Sequence, residues 1–207
     1  MITPRPYLSW SSMNLLERDI NKWKQSYLYG QKQRINRGMA FGKQMADGLE
    51  HEEASGDPVL DLLMARLPKF EIMDREFRTV LKNGKEDIPI LIKPDTMTLD
   101  MTGFKEYKTG QEPWTKKKVD DDNGPGGQIG FYATGIFLIT GHIPPDIELV
   151  HVQTTKANKD ASDSPIVATG EIFRHKTVRT MSQVINMMVR MKRAWALIQK
   201  ITAEELL

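Results

Sequence analysis

Lys93-Pro-Asp-Thr-Met-Thr-Leu-Asp-Met-Thr-Gly-Phe-Lys-Glu-Tyr-Lys108 decides how this chain is read. Two strand-forming runs flank Asp100 and Met101, so the segment predicts a hairpin that reverses at those two residues. In that register Asp95 lies opposite Glu106 and Lys93 opposite Lys108. Side chains alternate along a strand, so Lys108 shares the face of Glu106. Two carboxylates and one ammonium then converge. Like charges directly opposed across strands destabilise a sheet, so the pair calls for a shared proton or a bound cation. Taken alone, Glu106-Tyr107-Lys108 describes equally well a surface strand with an ordinary ion pair. Pro94 is a candidate site for a bulge.

Working outward, Lys69 to Gly110 reads as three strands, 70–81, 86–98 and 103–109, the first two joined by a turn at Lys82-Asn83-Gly84-Lys85. Upstream lie three helices. Ser11 or Ser12 caps the first, which carries Leu16, Ile20, Trp23 and Tyr27 on one stripe and stops near Gly30. The second, about Asn36 to Glu53, turns Met39, Gly42, Met45 and Leu49 inward, with Ala46 and Glu50 beside them. The third has Asp57 as cap and Pro58 at its first position, and ends before Pro68.

Downstream, Thr115 to Gly127 reads as a mobile polar loop carrying Lys116-Lys117-Lys118 and Asp120-Asp121-Asp122. A helix over Gly127 to Thr140 follows, opening with Gln128 and Tyr132 one turn apart. Strands around Ile147 to Gln153 and Ile166 to His175 precede a last helix. Thr180 and Gln183 form its capping box, and Val184, Met188, Met191, Trp195 and Ile198 its apolar seam. Met181, Met187, Met188 and Met191 of this helix read as core rather than partner surface.

The chain has 207 residues, 40% hydrophobic and 27% charged, with a formal net charge of +2. That length predicts one domain, residues 1–207, with a core of about 36–153 between an N-terminal arm 1–35 and a C-terminal strand and helix 166–207. No apolar run is long enough to span a bilayer, and Met1 to Trp10 lacks the pattern of a signal peptide. A protein that stays in the cytoplasm, with no membrane partner, is expected. There is no Cys, which excludes disulfides, thiolate zinc sites and a Cys-held iron–sulfur cluster. Any metal must sit on Asp, Glu, His or backbone oxygen. His51, His142, His151 and His175 show no metal-ligand spacing and are assigned no role.

Charge is segregated along the chain. The first 45 residues hold eight basic groups, Arg34 among them, against Glu17 and Asp19, whereas Asp47 to Asp61 holds six acids and no base. Ile172 to Ala203 holds seven basic groups and no acid. Such a pattern describes solvated helix faces or a phosphate-tracking surface around an acidic centre.

Pro94-Asp95, Glu106-Tyr107-Lys108-Thr109-Gly110 and Gln128 with Tyr132 together resemble the PD-(D/E)XK nuclease superfamily, within it the RecB-like and phage recombination exonucleases. A helix holding Phe41-Gly42 and Glu50 fits the family's first motif. The resemblance covers about residues 41–132, and the strand near 147–153 completes an αβββαβ core. It implies a mixed α/β, restriction-endonuclease-like fold, a central sheet flanked by helices, extended by N-terminal helices and a long C-terminal one.

The resemblance further implies a Mg²⁺- or Mn²⁺-dependent deoxyribonuclease, an exonuclease of recombination or repair in a bacterial or phage-infected cell. Asp95, Glu106, the backbone carbonyl of Tyr107 and Glu50 would hold the metal, and Lys108 would orient or deprotonate the attacking water. Gln128 and Tyr132 would hold the nucleotide. Lys116, Lys117 and Lys118 would grip phosphates and Trp114 would stack on a base. DNA is the implied partner, with a recombination protein or further copies of the chain as others. Two features depart from many relatives: Ala46 stands where they carry a His, and no iron–sulfur cluster can form. The alternatives are a structure-specific endonuclease, an idle DNA-binding or assembly module of the same fold, and a nonenzymatic protein whose hairpin acids hold a structural cation.

Overall fold

The structure, a computed structural model, describes residues 5–32, 35–84, 86–161 and 163–205. Arg34 of the basic arm and Lys85 of the predicted turn lie outside the described residues, as do the first four. Strand β1 (Leu8–Ser9) leads into α1 (Trp10–Arg18), α2 (Ile20–Trp23) and a π-helical turn at Lys24–Leu28. Ser9, rather than Ser11 or Ser12, caps α1, because Ser12 is buried and accepts the Trp23 indole N–H at 2.9 Å. Asp19 adopts an extended backbone between α1 and α2 and caps the second helix. The single stripe expected here is therefore broken, leaving Ile20 exposed.

Next come α3 (Arg37–His51), capped by the Asn36 side chain, and α4 (Pro58–Met64). Asp57 caps α4 by accepting from the amides of Val59 and Leu60, the arrangement that Asp followed by Pro predicts. Phe41, Met45, Gly48 and Leu49 form the buried face of α3, so Met39, expected inside, is about half exposed.

Strands β2 (Ile72–Met73), β3 (Phe77–Asn83), β4 (Glu86–Ile92), β5 (Thr96–Met97) and β6 (Gly103–Gly110) replace the three expected ones. Two of those three are broken. Asp74, at φ 44°, turns the chain out of β2 before β3 begins. Lys93-Pro94-Asp95 separates β4 from β5, because Pro94 has no N–H to continue a ladder. The break sorts the strands into two sheets, β1-β4-β3 and β2-β5-β6-β7-β8. The last two are β7 (Asp146–Lys156), parallel to β6, and β8 (Ile166–Thr177), antiparallel to β7 with a bulge between Val152 and Thr154.

The hairpin register is the predicted one. Thr96 faces Lys105 and Met97 faces Phe104, which continues to Asp95 opposite Glu106. The reversal is wider than two residues: Thr98 and Gly103 bond to each other, Asp100 accepts from Thr102, and Met101 takes a left-handed backbone.

Alternation on β7 decides the layers. Ile147 and Leu149 join a core with α1, α6 (Gly127–Thr140), α7 (Met181–Glu205) and the smaller sheet, while Val150 and Val152 join Tyr107 against α3 and α4. The larger sheet is thus covered on both faces. The expected polar loop before α6 is partly helical, with α5 (Lys116–Asp120) burying Val119. The capping box of α7 forms as predicted, Gln183 accepting from the Thr180 amide and donating its own amide to the Thr180 hydroxyl. Met187 and Met191 are core, Met188 is partly buried, and Met181 is exposed.

Helix α6 crosses both sheets, and at Gly135 it lies against Ile92 so closely that an added Cβ would stand 2.4 Å from the Ile92 Cγ2. Ile92 is fully buried and has nowhere to retreat. Gly135→Ala is expected to lose about 1–3 kcal/mol despite the better helix propensity of Ala, read as a lower urea midpoint with unchanged slope.

Candidate active site

The site is assembled at the seam between the sheets. Asp95 follows Pro94 out of β4, and its carboxylate Oδ2 accepts the backbone N–H of Tyr107 at 2.6 Å. One edge of the carboxylate is thereby fixed to β6. Glu106 is buried, 2% exposed. Its Oε1 accepts from the Lys108 ammonium at 2.5 Å, and its Oε2 is buried with no hydrogen-bond partner. Lys108 Nζ also donates to Gln128 Oε1 at 2.7 Å, and Gln128 Nε2 donates to the Tyr132 hydroxyl at 2.9 Å. The amide of Gln128 has only one useful orientation here, since its oxygen must face the cation.

Burial pushes the Glu106 carboxyl up to about 8, and the neighbouring Asp95 charge adds to the rise, against the pull of Lys108. Asp95 is also raised, first by burial, with Lys108 and the Tyr107 amide opposing. For Lys108 burial works to lower the pKa, but the charges of Glu106 and Asp95 outweigh it and the ammonium is held above its ordinary value. One cation beside two carboxylates, Glu106 buried and Asp95 half-buried, is a deficit of positive charge.

A cleft of about 550 Å³ opens on this group. Asp95, Glu106, Tyr107 and Lys108 line it from the strands, and Met39, Ala46, Leu49 and Glu50 from α3. Glu50 is exposed at the rim, and its charge bears on Lys93. The Tyr107 hydroxyl donates to the Pro68 carbonyl at 2.7 Å, so that side chain is structural. The sequence did not single out Asp74. It lines the same cleft, pairs with Lys93 at 2.6 Å, donates its amide to the Asp95 carbonyl at 3.0 Å, and raises the pKa of Asp95. Its one sequence signal was an Asp ahead of a broken strand, too common to notice.

The expected site residues divide accordingly. Glu106, Lys108, Gln128 and Tyr132 form one chain of hydrogen bonds, Asp95 is tied to the Tyr107 amide beside it, and Glu50 lines the same cleft from α3. The lysine triplet stands apart: Lys116 pairs with Asp120 at 2.6 Å and Lys118 with Glu112 at 3.9 Å, while Lys117 is exposed. Trp114 packs partly buried against the main core.

Among the described residues, no three acidic or histidine side chains gather closely enough to cage an ion. Asp95 and Glu106 nevertheless fit a hard divalent cation that keeps its waters and borrows oxygens from a substrate. The unpartnered Glu106 Oε2 is the atom that asks for one.

No family model matches the chain, and no curated protein sequence does. Solved structures do. A candidate exonuclease from Eubacterium rectale is similar over 97% of this chain and 82% of its own, with 12% identity and a TM-score of 0.61. The chain shares the fold of that structure. An alkaline exonuclease from Laribacter hongkongensis matches over 98% of this chain and 95% of its own, at 13% identity; with a TM-score of 0.47 it adds no weight. The αβββαβ order expected from the sequence runs here through α3, β2 with β3, β4 with β5, β6, α6 and β7, with α4 and α5 interposed.

A carboxyl raised to about 8 in the folded state binds its proton more tightly there than in the unfolded chain. Its contribution to stability is therefore full below about pH 4.5 and lost as pH rises through 8. Metal-free Glu106→Gln has no such loss, so its Tm is expected to exceed that of the parent at pH 8.5, with the gap narrowing toward pH 5. Parallel melting curves across that range would contradict the assignment.

Proposed function

We propose that this chain is a divalent-metal-dependent deoxyribonuclease, an exonuclease serving DNA recombination or repair. The observation that carries the proposal is the convergence of Asp95, Glu106 and Lys108 in one cleft, with a buried Glu106 oxygen lacking any partner. The nuclease fold and the exonuclease likeness support it.

Asp95, Glu106 and the Tyr107 carbonyl would hold Mg²⁺ or Mn²⁺, with Glu50 reaching from α3. The metal supplies a water acidic enough to lose a proton near neutral pH and positive charge for the phosphoryl oxygens. The chain's own residues do the rest. Asp95 is locked by the Tyr107 amide and presents its other oxygen to the cleft. Lys108, kept charged by its carboxylate neighbours, orients the attacking water and offsets negative charge in the transition state. Gln128 fixes the direction of that ammonium, and Tyr132 fixes Gln128. The rim from Met39 to Leu49 is apolar apart from Glu50 and suits a sugar or base beside the scissile phosphate.

Lys108→Ala and Asp95→Asn are expected to reduce cleavage of end-labelled linear DNA in Mg²⁺ by about a thousandfold or more, while DNA binding in Ca²⁺ stays within about threefold of the parent. Glu50→Gln, at the exposed rim, is expected to cost less. Parent-level cleavage by either of the first two variants overturns the nuclease proposal. Linear duplex should be degraded and a covalently closed circle left intact; cutting of the circle would make the enzyme an endonuclease. Binding with no cleavage under Mg²⁺ or Mn²⁺ would favour the idle module.

A further inference from the structure

Arg179 lies between β8 and α7 with its side chain 1% exposed. A guanidinium so deeply buried needs nearly all its N–H groups satisfied. Nε donates to Asp122 Oδ1 at 2.7 Å, and Nη2 to the carbonyls of Val119 at 2.8 Å and Gly126 at 3.5 Å. Nη1 donates to Thr177 Oγ1 at 2.6 Å and to the Val178 carbonyl at 3.2 Å. One side chain thus ties the connection from α5 to α6 onto the end of β8. Arg190 adds a bond to the Asp122 carbonyl while pairing with Glu17.

That connection is held internally by turn bonds, Gly124 donating to the Asp121 carbonyl and Gly127 to the Gly124 carbonyl, each at 3.1 Å, and Asn123 donating its amide to the Asp121 side chain. Gly124-Pro125-Gly126-Gly127 supplies no polar side chain, and α6 has no side-chain cap at its N-terminus. The backbone is also pressed against its surroundings. A Cβ at Gly126 would stand 2.2 Å from the Val119 carbonyl oxygen, at Gly127 2.3 Å from the Trp10 ring, and at Gly130 2.5 Å from Asp122 Oδ1. Asp122 is held in turn by Arg179, which donates to its Oδ1 at 2.7 Å, with Gln183 and the Arg190 charge also acting on the carboxylate.

The second residue of α6 is Gln128, whose oxygen receives Lys108 at 2.7 Å. A helix is stiff over a single turn, so a displacement of Gly126 and Gly127 is carried to Gln128. Hydrogen-bond strength falls steeply beyond the ordinary range, and an ångström there is enough to release the ammonium.

We propose that Arg179 is a positioning residue for Lys108, acting through the start of α6 and Gln128. The proposal rests on the nuclease reading of the cleft. Arg179→Lys keeps the charge but loses the fork. Its kcat on DNA in Mg²⁺ is expected to fall about tenfold with KM within about twofold of the parent. In a Gln128→Ala background the same substitution should cost less than about twofold, because the link it acts through is already gone. Equal losses in both backgrounds, or parent-level kcat in the folded variant, overturn the proposal. Should Arg179→Lys fail to fold, Asp122→Asn carries the same test on the same criteria, since it removes the charge that holds the guanidinium in place. Catalysis is not needed for a further readout, the NMR resonances of the Gln128 side-chain amide in metal-free protein. Displacement of these in either folded variant supports the proposal and an unmoved amide overturns it, even if the parent cleaves no DNA and the nuclease reading fails.

Discussion

The buried Glu106 and the half-buried Asp95, opposite one another in the hairpin register with Lys108 bonded to Glu106, are the constraint around which the rest of the chain is arranged. Left to itself, a sheet avoids that pairing. Here the hairpin register enforces it, and the surrounding elements are committed to keeping the register: β7 pairs along the whole length of β6, and the Thr98 to Gly103 reversal is closed by its own hydrogen bonds. The pKa of Glu106 is raised first by its burial and then by the Asp95 charge, both of which oppose an ionised carboxylate there. Stability given up at the site is recovered in the two cores on either face of the larger sheet.

The hairpin was legible because its evidence is local. Asp95, Glu106 and Lys108 lie within one short segment, and alternation with period two places them without knowledge of anything else. The caps at Asp57 and Thr180 were legible for the same reason. What escaped the sequence depends on partners far away in the chain. Nothing near Asp74 says that its amide will meet the Asp95 carbonyl, and nothing near Trp23 says that its indole will claim Ser12 and move the helix cap back to Ser9.

The polar stretch ahead of α6 misled for an instructive reason. Charge runs and glycines there have the composition of a mobile loop. Buried Val119 and the distant Arg179 turn it into an ordered strut. Lys116 pairs with Asp120 and Lys118 with Glu112 at the exposed surface, pairs that cost little to break. Composition describes a segment's preferences in isolation, and tertiary partners override them.

Asp95 belongs to neither sheet. It hangs on the short link after Pro94, between a strand of one sheet and a strand of the other, whereas Glu106 and Lys108 sit inside the larger sheet. A shift of the smaller sheet against the larger therefore moves Asp95 relative to Glu106 and Lys108 and leaves those two fixed to one another. The gap between Asp95 and Glu106 is set by how the two sheets are held together, and α6, against Ile92 of the smaller sheet at Gly135 and Phe104 of the larger at Tyr132, is one of the elements that bridge them.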